Sequence, residues 1–211
     1  MDNEIRSFAA VLETREENES GVIEGYPVVF NQRTDLGWFD EIIMPEALNE
    51  TDLKDVRLCL NHDTSYVYAR SRNNNSNSTM QFTPDSYGLF MRAALGIKDS
   101  PRAKDYYSAV NRKDIDKMSF MFVVSRDEWE DVDTDHPLRI IRGIKTIYEV
   151  SAVTFPAYGG TSISARAEGT SLDSARASLD SARAKLAEER AAAKDAERRK
   201  AALAILRGGK A

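Results

Sequence analysis

Lys117-Met118-Ser119-Phe120-Met121-Phe122-Val123-Val124 is the stretch whose reading decides this chain. It has the look of a strand, with one small hydroxyl among bulky apolar side chains. Burying that hydroxyl costs free energy unless it finds a hydrogen-bond partner. A second stretch, Tyr148-Glu149-Val150-Ser151-Ala152-Val153-Thr154-Phe155-Pro156-Ala157-Tyr158, sets a carboxylate inside another apolar strand and raises the same question. With His62 upstream, the chain holds a nucleophile, a base and an orienting acid, the three parts of a serine hydrolase.

Strand geometry orders the candidates for the acid. If residues 117–125 and 138–150 form an antiparallel hairpin, its turn centres near residues 131–134. Ser119 then lies opposite a residue between 145 and 149. Diagonal cross-strand neighbours stand about 7–8 Å apart, which suits a carboxylate that reaches the serine only through an imidazole. Glu149 meets that condition. His136 sits at the loop end of the same hairpin, tens of ångströms along the strand at about 3.3 Å per residue. It ranks second, as a third member under a different strand arrangement. Asp63 adjoins His62 and would point to the other face of a continuing strand; it could cap the turn or stand in as the acid. Cys59 reads as a small buried hydrophobe. Two histidines and one cysteine without a close cluster give no metal site. No phosphate-cradling loop and no cofactor motif is present.

Working outward, residues 5–30 read as two strands, with Phe8, Ala10 and Leu12 alternating before a polar turn and Val22–Phe30 after it. Gly37–Ile43 reads as a strand, with Pro45 opening a short helix through Leu48. Val56–Leu60 is an apolar strand leading into Asn61-His62-Asp63, and Tyr66–Arg70 returns beside it. Asn73–Ser78 is a polar loop and Tyr87–Leu95 a strand. Ser100-Pro101 supplies an N-cap and a first-turn proline for a helix to about Arg112. An acidic loop is expected over Arg126–Pro137. The fold class expected is α+β: a mostly antiparallel β-barrel with helices outside, plus a C-terminal Ala-rich helix.

The 211 residues are enough for one core and an appendage. The expected division is a body over 1–164, a linker at 165–170 and a helical, coiled-coil-like tail over 171–207. Ser171–Ala177 and Ser178–Ala184 are identical heptads, SLDSARA, and Leu172, Leu179 and Leu186 recur every seven residues. That seam is too narrow to build a core alone, so the tail pairs with something or frays. Residues 165–211 carry eleven Lys+Arg against seven Asp+Glu, and residues 1–164 carry eighteen against twenty-seven. An acidic body argues against a nucleic-acid surface. No apolar run approaches the roughly 18 residues of a membrane span, and Met1-Asp2-Asn3-Glu4 lacks signal-peptide character. A single cysteine suits a reducing cytoplasm.

Gly21–Phe30, Glu41–Leu48, Asn61-His62-Asp63, Met118-Ser119-Phe120 with Trp129, and the block ending Phe155-Pro156-Ala157-Tyr158 occur in an order that resembles the caudovirus prohead serine proteases, over roughly residues 5–166. The resemblance implies a barrel similar to the herpesvirus assemblins, with Ser119 as nucleophile, His62 as base and Glu149 as acid. In the assemblins the third member is a second histidine, which His136 matches in chain order. It further implies a capsid-maturation endopeptidase in the host cytoplasm, inside the assembling procapsid. Its substrates would be the major capsid protein's scaffolding segment, or a separate scaffold, and the protease itself, with homodimerisation as a means of control. One departure stands out. Met121 occupies a position, two after the serine, where many relatives carry a small residue. Two rival readings follow from the residues: a non-enzymatic scaffold or adaptor that assembles through its tail, and a small-molecule esterase. The latter lacks a Gly-x-Ser-x-Gly elbow.

Overall fold

A computed structural model of the protein describes residues 3–8, 12–15, 20–155 and 172–208. Two sheets carry the body. In the first, strand β1 (Glu4–Phe8) pairs with β10 (Lys117–Glu130), and β10 with β11 (Leu138–Val153). The far edge of β11 is shared by two short parallel strands. Its first part takes β5 (Asp40–Ile43), which is flanked by β4 (Thr34–Asp35). Its last part takes β6 (Asp55–Leu60), which is flanked by β7 (Ala69–Arg72). The second sheet is antiparallel, in the order β2 (Leu12–Arg15), β3 (Val22–Val29), β9 (Gly88–Ala94), β8 (Met80–Pro84). A 3-10 turn spans Pro45–Leu48, and among the described residues two α-helices follow, α1 (Pro101–Asn111) and α2 (Asp173–Gly208).

The α+β class expected from sequence is the one observed, but the strands form two open sheets rather than a closed antiparallel barrel, and the larger is mixed. The reason lies in β11, which is sixteen residues long. Its free edge is long enough to recruit two separate short strands, and the chain runs along that edge from β5 to β6 in a single direction, so both are parallel to β11. Residues 5–30 also supply three strands instead of two. β1 joins the first sheet and β2 the second, with the change of sheet falling outside the described residues. Met80–Pro84 is a strand that the polar loop before it concealed.

Between the sheets lies one apolar core. Leu12, Ile23, Val28, Leu89 and Met91 from one side meet Val56, Leu58, Met118, Phe120, Phe122, Ile147 and Val150 from the other, all essentially inaccessible to water. Full burial of such a side chain stabilises by about 1.5–3 kcal/mol. Helix α1 starts where the Ser100-Pro101 signal put it: the Ser100 hydroxyl accepts the Ala103 N–H at 3.2 Å. Its Ala103, Tyr106 and Val110 close the core.

Candidate active site

Ser119 lies on the middle strand of three. β1 is on one side of it, with Ser7 opposite, and β11 on the other, with Ser151 opposite. The hairpin of β10 and β11 does not run evenly. Counting from the end pair Glu130–Leu138 would put Glu149 straight across from Ser119. Register shifts between Met121 and Asp127 displace the pairing by two residues, so that Ser151 faces Ser119 and Glu149 faces Met121. The range of 145–149 for the residue opposite Ser119 is therefore corrected to 151. A slip of two keeps every side chain on its original face. Glu149 thus stands diagonal to Ser119 and on its side of the sheet.

His62 arrives from the neighbouring strand. β6 pairs with β11 so that Cys59 is level with Ser151, and the chain then turns sharply. Asn61 and His62 both adopt left-handed backbone angles, φ 51° and 60°, and the Asp63 N–H donates back to the Leu60 carbonyl at 3.0 Å. Asn tolerates that region; a histidine held there stores about 1–3 kcal/mol of strain. The turn is fixed to β11 at three points. The Asn61 N–H donates to the Ala152 carbonyl (3.0 Å), the Thr154 N–H to Asn61 Oδ1 (2.8 Å), and the His62 N–H to Ser151 Oγ (3.1 Å). This folds the imidazole back over the sheet.

The result is a continuous hydrogen-bonded chain. His62 Nε2 is 2.8 Å from Ser119 Oγ, and His62 Nδ1 bonds Glu149 Oε1. Glu149 Oε2 accepts from Ser151 Oγ at 2.7 Å. Ser119 and Glu149 are buried, while His62 is partly open to solvent. A serine hydroxyl, an imidazole and a carboxylate in this order can transfer a proton away from Oγ and stabilise the imidazolium that results. The structure brings neither alternative acid to Ser119. His136 Nε2 lies 3.1 Å from Asp40 Oδ1. Asp63 caps its own turn, accepting the Ser65 N–H at 2.9 Å. Cys59 is buried, and burial, aided by the charges of Glu149 and Asp63, pushes its thiol up to about 12. It is therefore a poor nucleophile at neutral pH.

Sequence reasoning missed Arg6 and Ser151. The Ser119 hydroxyl has a second partner, the Arg6 carbonyl oxygen at 2.8 Å. The Arg6 side chain belongs to a buried ionic cluster. Its Nε and Nη2 reach Glu41 at 2.6 and 2.9 Å, and Nη2 also reaches Glu4 at 2.6 Å. Arg139 completes the cluster, donating to both Glu4 oxygens (2.6 and 3.0 Å), to Glu41 (3.1 Å) and to Asp127 (2.7 Å). Burial alone would raise the Glu4 carboxyl, but Arg6 and Arg139 outweigh it and hold it below its ordinary value. Opposite charges two apart in Glu4-Ile5-Arg6 were the one signal available. Asp35, Asp40 and His136 are the group with metal-ligand spacing among the described residues. Asp40 already bonds Arg33 at 2.5 Å, which accounts for the grouping as an ion-pair cluster.

Comparison with known proteins gives two findings. The family model described as caudovirus prohead serine protease matches residues 9–175. The prohead protease of Enterobacteria phage HK97 is 28% identical over 152 residues, covering 71% of this chain and 61% of that protein. This chain therefore spans less than two thirds of the length of the curated relative it matches. No solved structure matches it significantly.

Proposed function

Because the chain belongs to the caudovirus prohead serine protease family, we propose that it is a serine endopeptidase of procapsid maturation with Ser119 as nucleophile, His62 as general base and Glu149 as orienting acid. The observation that carries this reading is the contact of His62 Nε2 with Ser119 Oγ at 2.8 Å, with Glu149 on the opposite ring nitrogen. Oγ attacks the scissile carbonyl carbon and its proton passes to Nε2. The same proton then goes to the leaving amine as the C–N bond breaks. Water, deprotonated by the imidazole, hydrolyses the acyl-serine and restores the hydroxyl. Glu149 accepts the Nδ1–H and so fixes the orientation and tautomer of the ring.

The substrates under this reading are the scaffolding segment of the capsid protein and the protease itself. A groove of about 430 Å³, lined by Leu60, Asp63, Tyr66, Arg102 and Tyr106, adjoins the turn that carries His62. Wild type and Ser119→Ala, each produced alongside the capsid protein, test the proposal by mass spectrometry. The expected outcome is discrete truncations in the wild type and none in the variant, with shell assembly retained. The rival reading of a non-enzymatic adaptor draws on the exposed far half of α2. It requires the two proteins to behave alike.

A further inference from the structure

Among the described residues β1 is the outermost strand of its sheet, and it lies against the part of β10 that carries Ser119. Three features of this contact bear on the chemistry. First, the Arg6 carbonyl is the backbone group at the nucleophile, 2.8 Å from Oγ, at the same distance as His62 Nε2. A hydroxyl has one proton, so donating it to Arg6 withholds it from the imidazole. Second, Ser119 has no exposed surface while β1 is in place. Third, an edge position of a sheet accepts any extended chain through backbone hydrogen bonds, and the side chains then decide which chain is preferred.

Those side chains are buried charges. Glu41 on β5 and Arg139 on β11 belong to the body, and β1 brings Arg6 to the first and Glu4 to the second. Another chain taking this position leaves hydrogen-bonding groups of Glu41 and Arg139 unpaired unless it brings the same two groups. A site built to bond particular polar groups rejects a chain that lacks them.

The geometry points to the β10 edge beside Ser119 as the seat of the substrate strand, with Glu41 and Arg139 as specificity-determining residues. The preferred substrate is an extended Glu-x-Arg segment, cut on the carboxyl side of the arginine, and β1 occupies the seat as an internal stand-in. This inference rests on the peptidase reading above and adds the substrate class to it.

The test uses the full chain and two readouts: labelling of Ser119 by a fluorophosphonate probe, and cleavage of synthetic peptides containing Glu-Ile-Arg-Ser or its Gln-substituted forms. Loosening β1 through E4Q/R6Q should speed labelling by about tenfold or more. The same variant should cleave the Glu-x-Arg peptide about tenfold or more faster, in kcat/KM, than peptides with Gln at either position. E41Q, combined with the loosened strand, should erase the preference for Arg over Gln. If thermal melting shows that the double variant does not fold, R6K takes its place, since lysine keeps the charge but not the paired bonds. Equal labelling of wild type and loosened chains, or cleavage indifferent to the two side chains, overturns the inference and leaves the peptidase reading standing. Absence of labelling and cleavage in every form overturns both.

Discussion

Ser151 touches both His62 and Glu149, since its hydroxyl donates to Glu149 Oε2 and accepts the His62 N–H. Ser151→Ala leaves a buried carboxylate oxygen and a backbone donor without that partner, so the carboxylate and the turn both gain freedom. We expect kcat to fall about ten- to a hundredfold with KM nearly unchanged, alongside a stability loss of about 1–3 kcal/mol seen in the melting temperature. Glu149→Gln should cost far more, about 10⁴-fold in kcat, because an amide that donates to Nδ1 forces the wrong imidazole tautomer. Cys59 gives the opposite expectation. With its thiol pushed up to about 12, it should resist iodoacetamide at pH 8, and mass spectrometry should find it unmodified in fully active protein. Ser119, His62 and Glu149 were legible in the sequence because each raised a local question, a polar group amid apolar neighbours or a histidine at a strand end. Arg6 and Ser151 were not. Arg6 contributes a carbonyl oxygen, which every residue has, and Ser151 acts only through a register that bulges shift by two.

At the scale of elements, α1 was legible from its cap, whereas the far end of β10 was not. Arg126, Glu128 and Glu130 are exposed, with the half-buried Asp127 and Trp129 between them, so a period-two strand passed for an acidic loop. β1 makes a prediction that turns on the sign of a titration. Glu4 is held below its ordinary value, so it contributes stability that is present above about pH 4.5 and lost as the pH falls through its folded value. Glu4→Gln should be less stable than wild type at pH 7, and the difference should shrink on acidification below that point. Asp40, Asp55 and Asp85 are lowered as well, so only the difference between the two melting curves, measured pH by pH, isolates β1. A constant difference would mean that the cluster does not depend on the Glu4 charge.

The whole molecule is shaped by how α2 is used along its length. Ala175 is buried against Leu36 and Phe39, with Trp38, Trp129 and Leu172 around them, and Leu179, one turn further on, is buried as well. Ser174 donates to Glu4 at 2.6 Å, Ser178 joins Trp129 and Asp127, and Arg183 reaches the Val132 carbonyl at 2.8 Å. The heptad stripe of Leu172, Leu179 and Leu186 thus faces the body, which supplies the apolar surface the narrow seam lacked. From Ala187 to Leu203 every residue is exposed, although Arg190 still pairs with Asp133 of the body at 2.6 Å. The helix therefore has a docked part, tied to the cluster that holds β1, and a projecting part with a solvated, charged surface. Removing residues 171–211 would confuse the two. Leu179→Ala probes the docked part: it should cost about 2 kcal/mol and lower the melting temperature by about 4–8 °C. Removing residues 191–211 probes the projecting part. If that part tethers the peptidase to a helical segment of the assembling shell, the truncated chain should keep its melting temperature and its activity on a peptide. It should nonetheless be missing from purified procapsids when their contents are compared by gel with those of the wild type. Equal incorporation would leave the projecting helix without a role in recruitment, and the docked turns, with the β1 cluster they brace, would be the part of α2 that matters.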